Sequence, residues 1–166
     1  MFVNILDGEV FAVIVAISIV GSALGIAQLL RPEVVEPFTA LGLLNQDCAI
    51  GEYPKYVFAG GEIELCVFVG NNMGYPILAR VVYKLGTGED LPTNTTPSTL
   101  KPIKNFTVLV AHGGNVTFKV RLPIPENPPE ADRVAIILEL WLYDPERGVW
   151  TYSGRWNHLY VQVVRV

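Results

Sequence analysis

Five side chains of this 166-residue chain, Cys48, Cys66, His112, His158 and Met73, are of the types that bind copper. Cupredoxin-type centres hold their Cys, His and Met ligands close together on one loop, but no cysteine lies near either histidine here. A paired-copper centre needs two cysteines a few residues apart, and these two are 18 residues apart. The spacing argues against a copper centre, and we predict that the chain binds no metal or other cofactor.

The two cysteines predict a disulfide instead. A bond between Cys48 and Cys66 would stabilise the fold by about 3 kcal/mol, through the loop that it closes in the unfolded chain. Such bonds persist outside the cytoplasm. Two buried free thiols are the alternative. The absence of a Cys-x-x-Cys pair argues against thioredoxin-like and zinc-ribbon proteins.

Three Asn-x-Thr sequons begin at Asn94, Asn105 and Asn115. This motif is the acceptor for N-glycosylation, which takes place outside the cytoplasm. Pro97, directly after the first sequon, makes Asn94 the poorest acceptor of the three. Turn asparagines and strand threonines of an ordinary β-rich sequence are the alternative explanation. We predict glycosylation at all three positions.

Catalytic chemistry has little support in the sequence. Two of the four serines lie in an apolar segment, and none stands in a nucleophile elbow. Glu62 and Glu64 share one face of a predicted strand, which is typical of a solvated surface. Asp144 and Glu146 flank Pro145 in a predicted hairpin turn, where calcium binding is the alternative. We predict that the protein is not an enzyme.

Composition narrows the class of protein further. Only 17% of the residues are charged, against about 25% in soluble proteins, and the net charge is −4. An acidic chain is a poor candidate for binding nucleic acid, and one that is 51% hydrophobic is not intrinsically disordered. Mean hydropathy is +0.37, which suggests a membrane-embedded part.

That part is the run at residues 10–30, which contains no formal charge. As a helix it is about 30 Å long, enough to cross the hydrocarbon core of a bilayer. We predict a transmembrane helix within residues 1–31 and a linker at residues 32–37. A cleaved signal peptide is the alternative, but the leading segment carries Asp7 and Glu9 and no basic residue.

Two opposing signals in the sequence bear on which side of the membrane the C-terminal domain lies. All 12 Lys and Arg residues follow the helix, which by the positive-inside rule favours a cytoplasmic domain. Only Arg31 lies close to the helix, however, and large domains translocate largely regardless of charge. The sequons and cysteines favour the outside, so we predict a single-pass protein of the cell membrane with an extracytoplasmic C-terminal domain.

Residues 38–166 alternate between apolar and polar positions with a period of two, most clearly at residues 116–122. Strands are predicted at residues 62–69, 77–85, 106–111, 116–122, 133–143 and 159–164. We predict an immunoglobulin- or fibronectin-like antiparallel β-sandwich, with an exposed Thr/Pro-rich loop at residues 89–102. The Cys…Trp…Cys spacing of true immunoglobulin domains is absent.

Six aromatic residues are concentrated near the C-terminus: Trp141, Tyr143, Trp150, Tyr152, Trp156 and Tyr160. Cross-strand packing is the favoured interpretation of this cluster. An interface or a carbohydrate-binding surface is the alternative.

Three motifs occur in a fixed order: Pro-Phe-Thr at residues 37–39, the strand at residues 62–71, and Leu-x-Leu-x-Leu-Tyr within residues 138–143. Their order resembles the ectodomain of the archaeal membrane-protein family called domain of unknown function sixteen-sixteen. The resemblance covers residues 36–166 and implies a membrane segment followed by a glycosylated β-sandwich, with no assigned activity. The chain departs from that family at Ala40, where an acidic residue is usual, and in having one membrane helix.

The sequence as a whole predicts a membrane-anchored, N-glycosylated cell-envelope protein that acts as a structural or protein-interaction module. Its expected partners are the lipid bilayer and other membrane or cell-surface proteins, including copies of itself, and not nucleic acid. One alternative is a pilin-like filament subunit processed near residues 7–9, although the usual basic residue before Gly8 is missing. Another alternative is an accessory subunit of a larger membrane complex.

Overall fold

The computed structural model describes residues 8–30 and 36–165. The chain divides into two units, residues 1–36 and 37–166. The first unit contains helix α1 (Gly8–Leu29). The described residues of the second unit form strands β1 (Phe38–Leu44), β2 (Tyr56–Phe58), β3 (Glu62–Asn72), β4 (Ile77–Gly86), β5 (Lys104–Val110), β6 (Asn115–Pro123), β7 (Val134–Asp144) and β8 (Val149–Val164).

Helix α1 is long and apolar enough to cross a membrane, and none of its residues is buried. The hydroxyls of Ser18 and Ser22 donate to the carbonyls of Ile14 and Ser18, one turn earlier, at 2.8 and 2.7 Å. These polar groups are therefore satisfied inside the helix, as a lipid environment requires. Asp7, Arg31 and residues 32–35 of the predicted linker lie outside the described residues.

The strands form two sheets, which confirms the predicted β-sandwich. The three-stranded sheet has the order β1-β3-β6 and the five-stranded sheet the order β2-β8-β7-β4-β5. Neighbouring strands are antiparallel except β2, which pairs with β8 in parallel over three residues. This short parallel pairing lies at one edge of the predicted antiparallel sandwich, because residues 45–55 cross from one sheet to the other before β2 begins.

The core lies between the sheets, and the predicted alternation places the expected residues in it. Leu65 and Val67 of β3 are fully buried, as are Leu138 and Leu140 of β7. Tyr83 is buried among them, and its hydroxyl donates to the carbonyl of Pro123 at 3.1 Å. Burial raises the pKa of this phenol well above its usual value, because the charged form would lack solvent.

Three local features differ from the sequence prediction. Strands β1 and β2 were not predicted, and β8 begins at Val149, ten residues before the predicted start at residue 159. The alternation of β8 is interrupted where its register with β7 shifts between Leu140 and Trp141, which hides the strand from a period-two search. The loop at residues 89–102 was predicted to be exposed, but its Ser98 is only 8% exposed.

Candidate binding surface

The candidate site is the face of the five-stranded sheet that points away from the core. Along β4, Val81 and Tyr83 point inward, so Arg80, Val82 and Lys84 point outward. We call this surface the outer face. Its polar and aromatic members are Arg80, Lys84, Asn105, Glu139, Trp141, Tyr143, Trp150, Tyr152, Trp156, His158 and Tyr160.

Four of the aromatic residues form two cross-strand pairs between β7 and β8. Tyr143 lies opposite Trp150 with ring centroids 5.3 Å apart, and Trp141 lies opposite Tyr152 at 5.6 Å. Tilted rings at these distances are attractive and hold neighbouring strands together. The predicted cross-strand packing is confirmed for these four residues.

The remaining aromatic residues run along β8 itself. The ring of His158 lies 5.5 Å from Trp156 and 4.9 Å from Tyr160, and we call these three residues the aromatic row. Their partners on β7 are Glu139, Ile137 and Ala135, so the row is not a product of cross-strand aromatic packing. His158 and Tyr160 are exposed, which leaves this part of the outer face open to a partner.

A buried ion pair lies beside the aromatic pairs. Lys84 Nζ is 2.9 Å from Glu139 Oε2, and the two side chains are 4% and 0% exposed. Trp141 Nε1 also donates to Glu139 Oε2, at 3.0 Å. The ammonium of Lys84 compensates the charge of Glu139, and both carboxylate oxygens accept hydrogen bonds, as a buried carboxylate requires.

The loop at residues 89–102 closes over this ion pair. The backbone nitrogen of Ser98 donates to Glu139 Oε1 at 2.7 Å, and its carbonyl accepts from Lys84 Nζ at 2.7 Å. Further along, the Tyr152 hydroxyl donates to the carbonyl of Thr93 at 2.8 Å. Burial, and secondly the charge of Glu139, raise the pKa of Tyr152 to about 12. The loop is thus a fixed part of the outer face.

A hollow of about 190 Å³ opens next to this loop, and its walls include Arg80, Val82, Lys84, Asn105, Trp141 and Trp150. The guanidinium carbon of Arg80 lies 3.7 Å from the centroid of the Trp150 ring, in a cation–π contact. Arg80 Nε is buried and has no hydrogen-bond partner among the described residues. The hollow thus combines flat apolar walls with the charged guanidinium group of Arg80.

The three predicted glycosylation sites lie in different places, and all three asparagines are exposed. Asn94 belongs to the loop that covers the ion pair. Asn105 lies on β5, opposite Val82, and lines the hollow. Asn115 begins β6 in the other sheet, opposite Gly70. Glycosylation at these positions stays a prediction.

Cys48 and Cys66 are joined in a disulfide, with their Cα atoms 5.1 Å apart. Cys66 is fully buried in β3, and Cys48 lies in a turn after β1 with a left-handed φ of 59°. The side chain of Asn45 accepts from the backbone nitrogens of Asp47 and Ala49, both at 3.0 Å. These bonds hold the turn that covers Cys66.

The structure does not bring the remaining candidate copper ligands together with this disulfide. His112 Nδ1 accepts from the backbone nitrogen of Gly74, and Met73 packs partly buried against the core. His158 belongs to the aromatic row. In residues 8–30 and 36–165, no group of three or more His, Cys, Asp and Glu side chains is placed to hold a metal.

Two of the carboxylates singled out in the sequence, Glu64 and Asp144, have structural partners. Glu64 lies 3.0 Å from Lys119 Nζ and 3.3 Å from Arg121 Nε, and these hydrogen bonds hold its pKa below the usual value. Asp144 Oδ1 accepts from the backbone nitrogens of Glu146 and Arg147, at 3.0 and 3.2 Å. Asp144 therefore caps the predicted hairpin turn, which accounts for an acidic residue there.

The ion pair was not predicted from the sequence, although the sequence contains a signal for it. Lys84 is the only charge in the run at residues 81–86, and Glu139 is the only charge at residues 134–143. Isolated opposite charges in two apolar strand runs indicate a buried pair, since either charge alone would be costly there. Their pairing could not be read from spacing, because it depends on the strand order.

These features define a β-sandwich domain preceded by an apolar helix long enough to span a membrane. No family model and no curated protein matches the chain. The family resemblance drawn from the three sequence motifs therefore stays a prediction.

Several solved structures are similar in fold. A CARDB domain from Pyrococcus furiosus, crystallised in complex with di-metal ions, is 14% identical and has a TM-score of 0.43, covering 77% of this chain and 89% of that one. The solution structure of the same domain is 16% identical and has a TM-score of 0.47, and the match covers 77% of this chain and 95% of that one. The Pseudomonas fluorescens alkylpurine DNA glycosylase AlkC is 12% identical with a TM-score of 0.45, covering 75% and 30%. Similarity at this level carries no argument about function.

Proposed function

We propose that this protein is a single-pass membrane anchor that presents an N-glycosylated β-sandwich outside the cytoplasm as a protein-interaction module. The observation that carries the proposal is helix α1, whose 22 residues include a single charge, Glu9, and which is long and apolar enough to cross a membrane. Such a helix is stable in a bilayer and not in water. The disulfide and the exposed sequons support the outward orientation.

The aromatic row supports the interaction role. Tyr and Trp side chains provide much of the binding energy at protein interfaces, and charged side chains at the rim add specificity. The guanidinium carbon of Arg133 lies 5.6 Å from the Tyr160 ring and supplies such a charge. Strand β2 pairs only with residues 162–164 of β8, so in the described part of the chain no strand is paired with the edge of β8 beside the row. Strand β1 is linked to this part of β8 through the side chain of Asn157, which donates to the carbonyl of Leu41 at 2.7 Å. We infer that another membrane or cell-surface protein, or a second copy of this chain, binds there.

Mass spectrometry of protein purified from native membranes without reductant tests the anchor and its orientation. We expect an intact Met1, sugar on Asn105 or Asn115, and a Cys48–Cys66 bridge. A mature chain starting near Glu9 would instead favour the filament subunit. Bare sequons together with two free thiols would contradict the outward orientation.

Site-specific photocrosslinking tests the interaction surface. A photoreactive residue in place of His158, in native membranes, is expected to give a discrete crosslinked product. The matched control replaces Thr117, which is exposed on the outer side of the other sheet. Equal crosslinking at both positions would contradict a specific role for the aromatic row. If large membrane proteins were crosslinked only from position 158, the protein would be an accessory subunit of a larger membrane complex.

A further inference from the structure

The sequon at residues 105–107 and the hollow on the outer face occupy the same place. Asn105 and Thr107 both point outward from β5, because residues two apart share a face of a strand. Phe106 between them points inward and lies 6.3 Å from Phe118, centroid to centroid. Asn105 is exposed and lines the hollow, so a sugar attached to its amide begins at the hollow's rim.

The walls of the hollow have the chemistry that recognises a carbohydrate. The indoles of Trp141 and Trp150 offer flat apolar surfaces against which the C–H face of a pyranose ring packs. Arg80 also lines the hollow, and its guanidinium N–H groups can donate to a sugar hydroxyl. In the sheet β5 is followed by β4, β7 and β8, so the strand of Arg80 lies about 5 Å from β5, the strand of Trp141 about 10 Å, and the strand of Trp150 at the largest distance, about 14 Å. The first sugars of a chain on Asn105 can span that distance.

We propose that the oligosaccharide on Asn105 folds back into this hollow, covers the Arg80–Trp150 contact and forms a structural part of the outer face. This inference rests on the proposed function, since the acceptor must face outward to be glycosylated. It also assigns different roles to two parts of the outer face. The hollow is filled by the protein's own glycan, and the aromatic row is left for the partner.

Attachment of the oligosaccharide to Asn105 requires a lipid-phosphate-linked oligosaccharide as co-substrate. The amide nitrogen of Asn105 forms a bond to C1 of the first sugar while the bond between C1 and the phosphate oxygen breaks. The lipid phosphate leaves with the electron pair of that bond, and the proton lost by the amide passes to the departing phosphate. No oxidation or reduction takes place.

The test compares thermal unfolding of the full chain, purified from native membranes, in the wild type and four variants. Asn105→Gln and Thr107→Val each remove the sequon, Thr107→Ser keeps it, and Asn115→Gln removes a sequon from the other sheet. We expect sugar on Asn105 of the wild type, and a melting temperature about 3 °C lower in Asn105→Gln and in Thr107→Val. Thr107→Ser is expected to have the melting temperature of the wild type. Acrylamide quenching of tryptophan fluorescence is a second measurement. We expect it to increase in Asn105→Gln and to stay unchanged in Asn115→Gln.

A double-mutant cycle with Trp150→Leu establishes where the glycan binds. In that background Asn105→Gln is expected to shift the melting temperature by less than about 1 °C, because the wall that the sugar covers is gone. An equal shift of the melting temperature by Asn105→Gln in the wild type and in Trp150→Leu would overturn the inference. The inference would also be overturned if Asn105 carried sugar but Asn105→Gln left the melting temperature and the fluorescence quenching unchanged. Sugar on Asn94 or Asn115 with a bare Asn105 would overturn it and leave the proposed function standing. Three bare asparagines would overturn both the inference and the glycosylation in the proposed function.

Discussion

Lys84 and Glu139 form an ion pair, with 2.9 Å between Nζ and Oε2, on the outer face of the sheet rather than in the core. The pair is removed from water because the loop at residues 89–102 lies over it. Ser98 bonds both charges through its backbone, so the loop and the pair stabilise each other. A solvated loop would leave a carboxylate and an ammonium exposed on an ordinary sheet surface.

The first prediction concerns this ion pair. Lys84→Met leaves the Glu139 carboxylate buried without its cation. We expect the free energy of unfolding to fall by about 3–5 kcal/mol, the cost of an unpaired buried charge. Urea unfolding followed by fluorescence measures the change.

The control is the double substitution Lys84→Met with Glu139→Leu. Removing both charges avoids the unpaired carboxylate, so the double variant is expected to be more stable than the sum of the single effects predicts. Strictly additive losses would show that the two side chains do not interact.

The second prediction concerns Tyr152, whose pKa is raised to about 12 by burial and by Glu139. The folded state favours the neutral phenol, so its contribution to stability is complete below the unfolded pKa of about 10. The contribution is lost as the pH rises through the folded pKa. Tyr152→Phe is therefore expected to be less stable than the wild type at pH 8, by a margin that shrinks towards pH 12.

Unfolding free energies at several pH values between 8 and 12 measure this margin. Tyr56→Phe is the control, since Tyr56 is 64% exposed. A margin that stays constant with pH would contradict the raised pKa of Tyr152.

Sequence patterns predicted the parts of the fold that depend on local periodicity. The uncharged run at residues 10–30 gave the position of α1, and the alternation at residues 116–122 gave β6 with its inward face. Both signals are carried by neighbouring residues, so no knowledge of the rest of the chain is needed.

The outer face depends instead on which strands become neighbours. Trp150 contacts Arg80 across β7, and Ser98 reaches Glu139 from a loop 41 residues away. Residues 149–158 lack a clean alternation because of the bulge. Trp156 and Tyr160 were therefore predicted as members of an aromatic cluster, but the strand that carries them and the place of His158 between them were not predicted. These relationships follow from topology and could not be derived from spacing.

The third prediction concerns the disulfide. Replacing both Cys48 and Cys66 with alanine is expected to lower the free energy of unfolding by about 3 kcal/mol, the loop-entropy value for this separation. Reductant is expected to destabilise the wild type by a similar amount and to leave the double variant unchanged. The disulfide would be contradicted if reductant left the stability of the wild type unchanged and if wild-type chains unfolded without reductant carried free thiols.

The fourth prediction concerns Gly154, which lies in the bulge of β8 with a φ of +73°. A Cβ at this position would collide with the carbonyl oxygen of Asn94, so the bulge fits the covering loop only because it carries no side chain. Gly154→Ala is expected to cost about 1–3 kcal/mol from backbone strain, and to displace the loop as well. Denaturant unfolding measures the first effect, and limited proteolysis at residues 92–97 measures the second.

Gly148→Ala is the matched control, because Gly148 has a similar φ of +68° but its nearest neighbour is the Tyr143 hydroxyl at 3.9 Å. Both variants are expected to show the strain of a left-handed alanine, whereas faster cleavage of the loop is expected in Gly154→Ala alone. If both variants were cleaved alike, the loop would not depend on its contact with the bulge. Cleavage in Gly154→Ala but not in Gly148→Ala would show that β8 holds the loop in place, and with it the cover over Lys84 and Glu139.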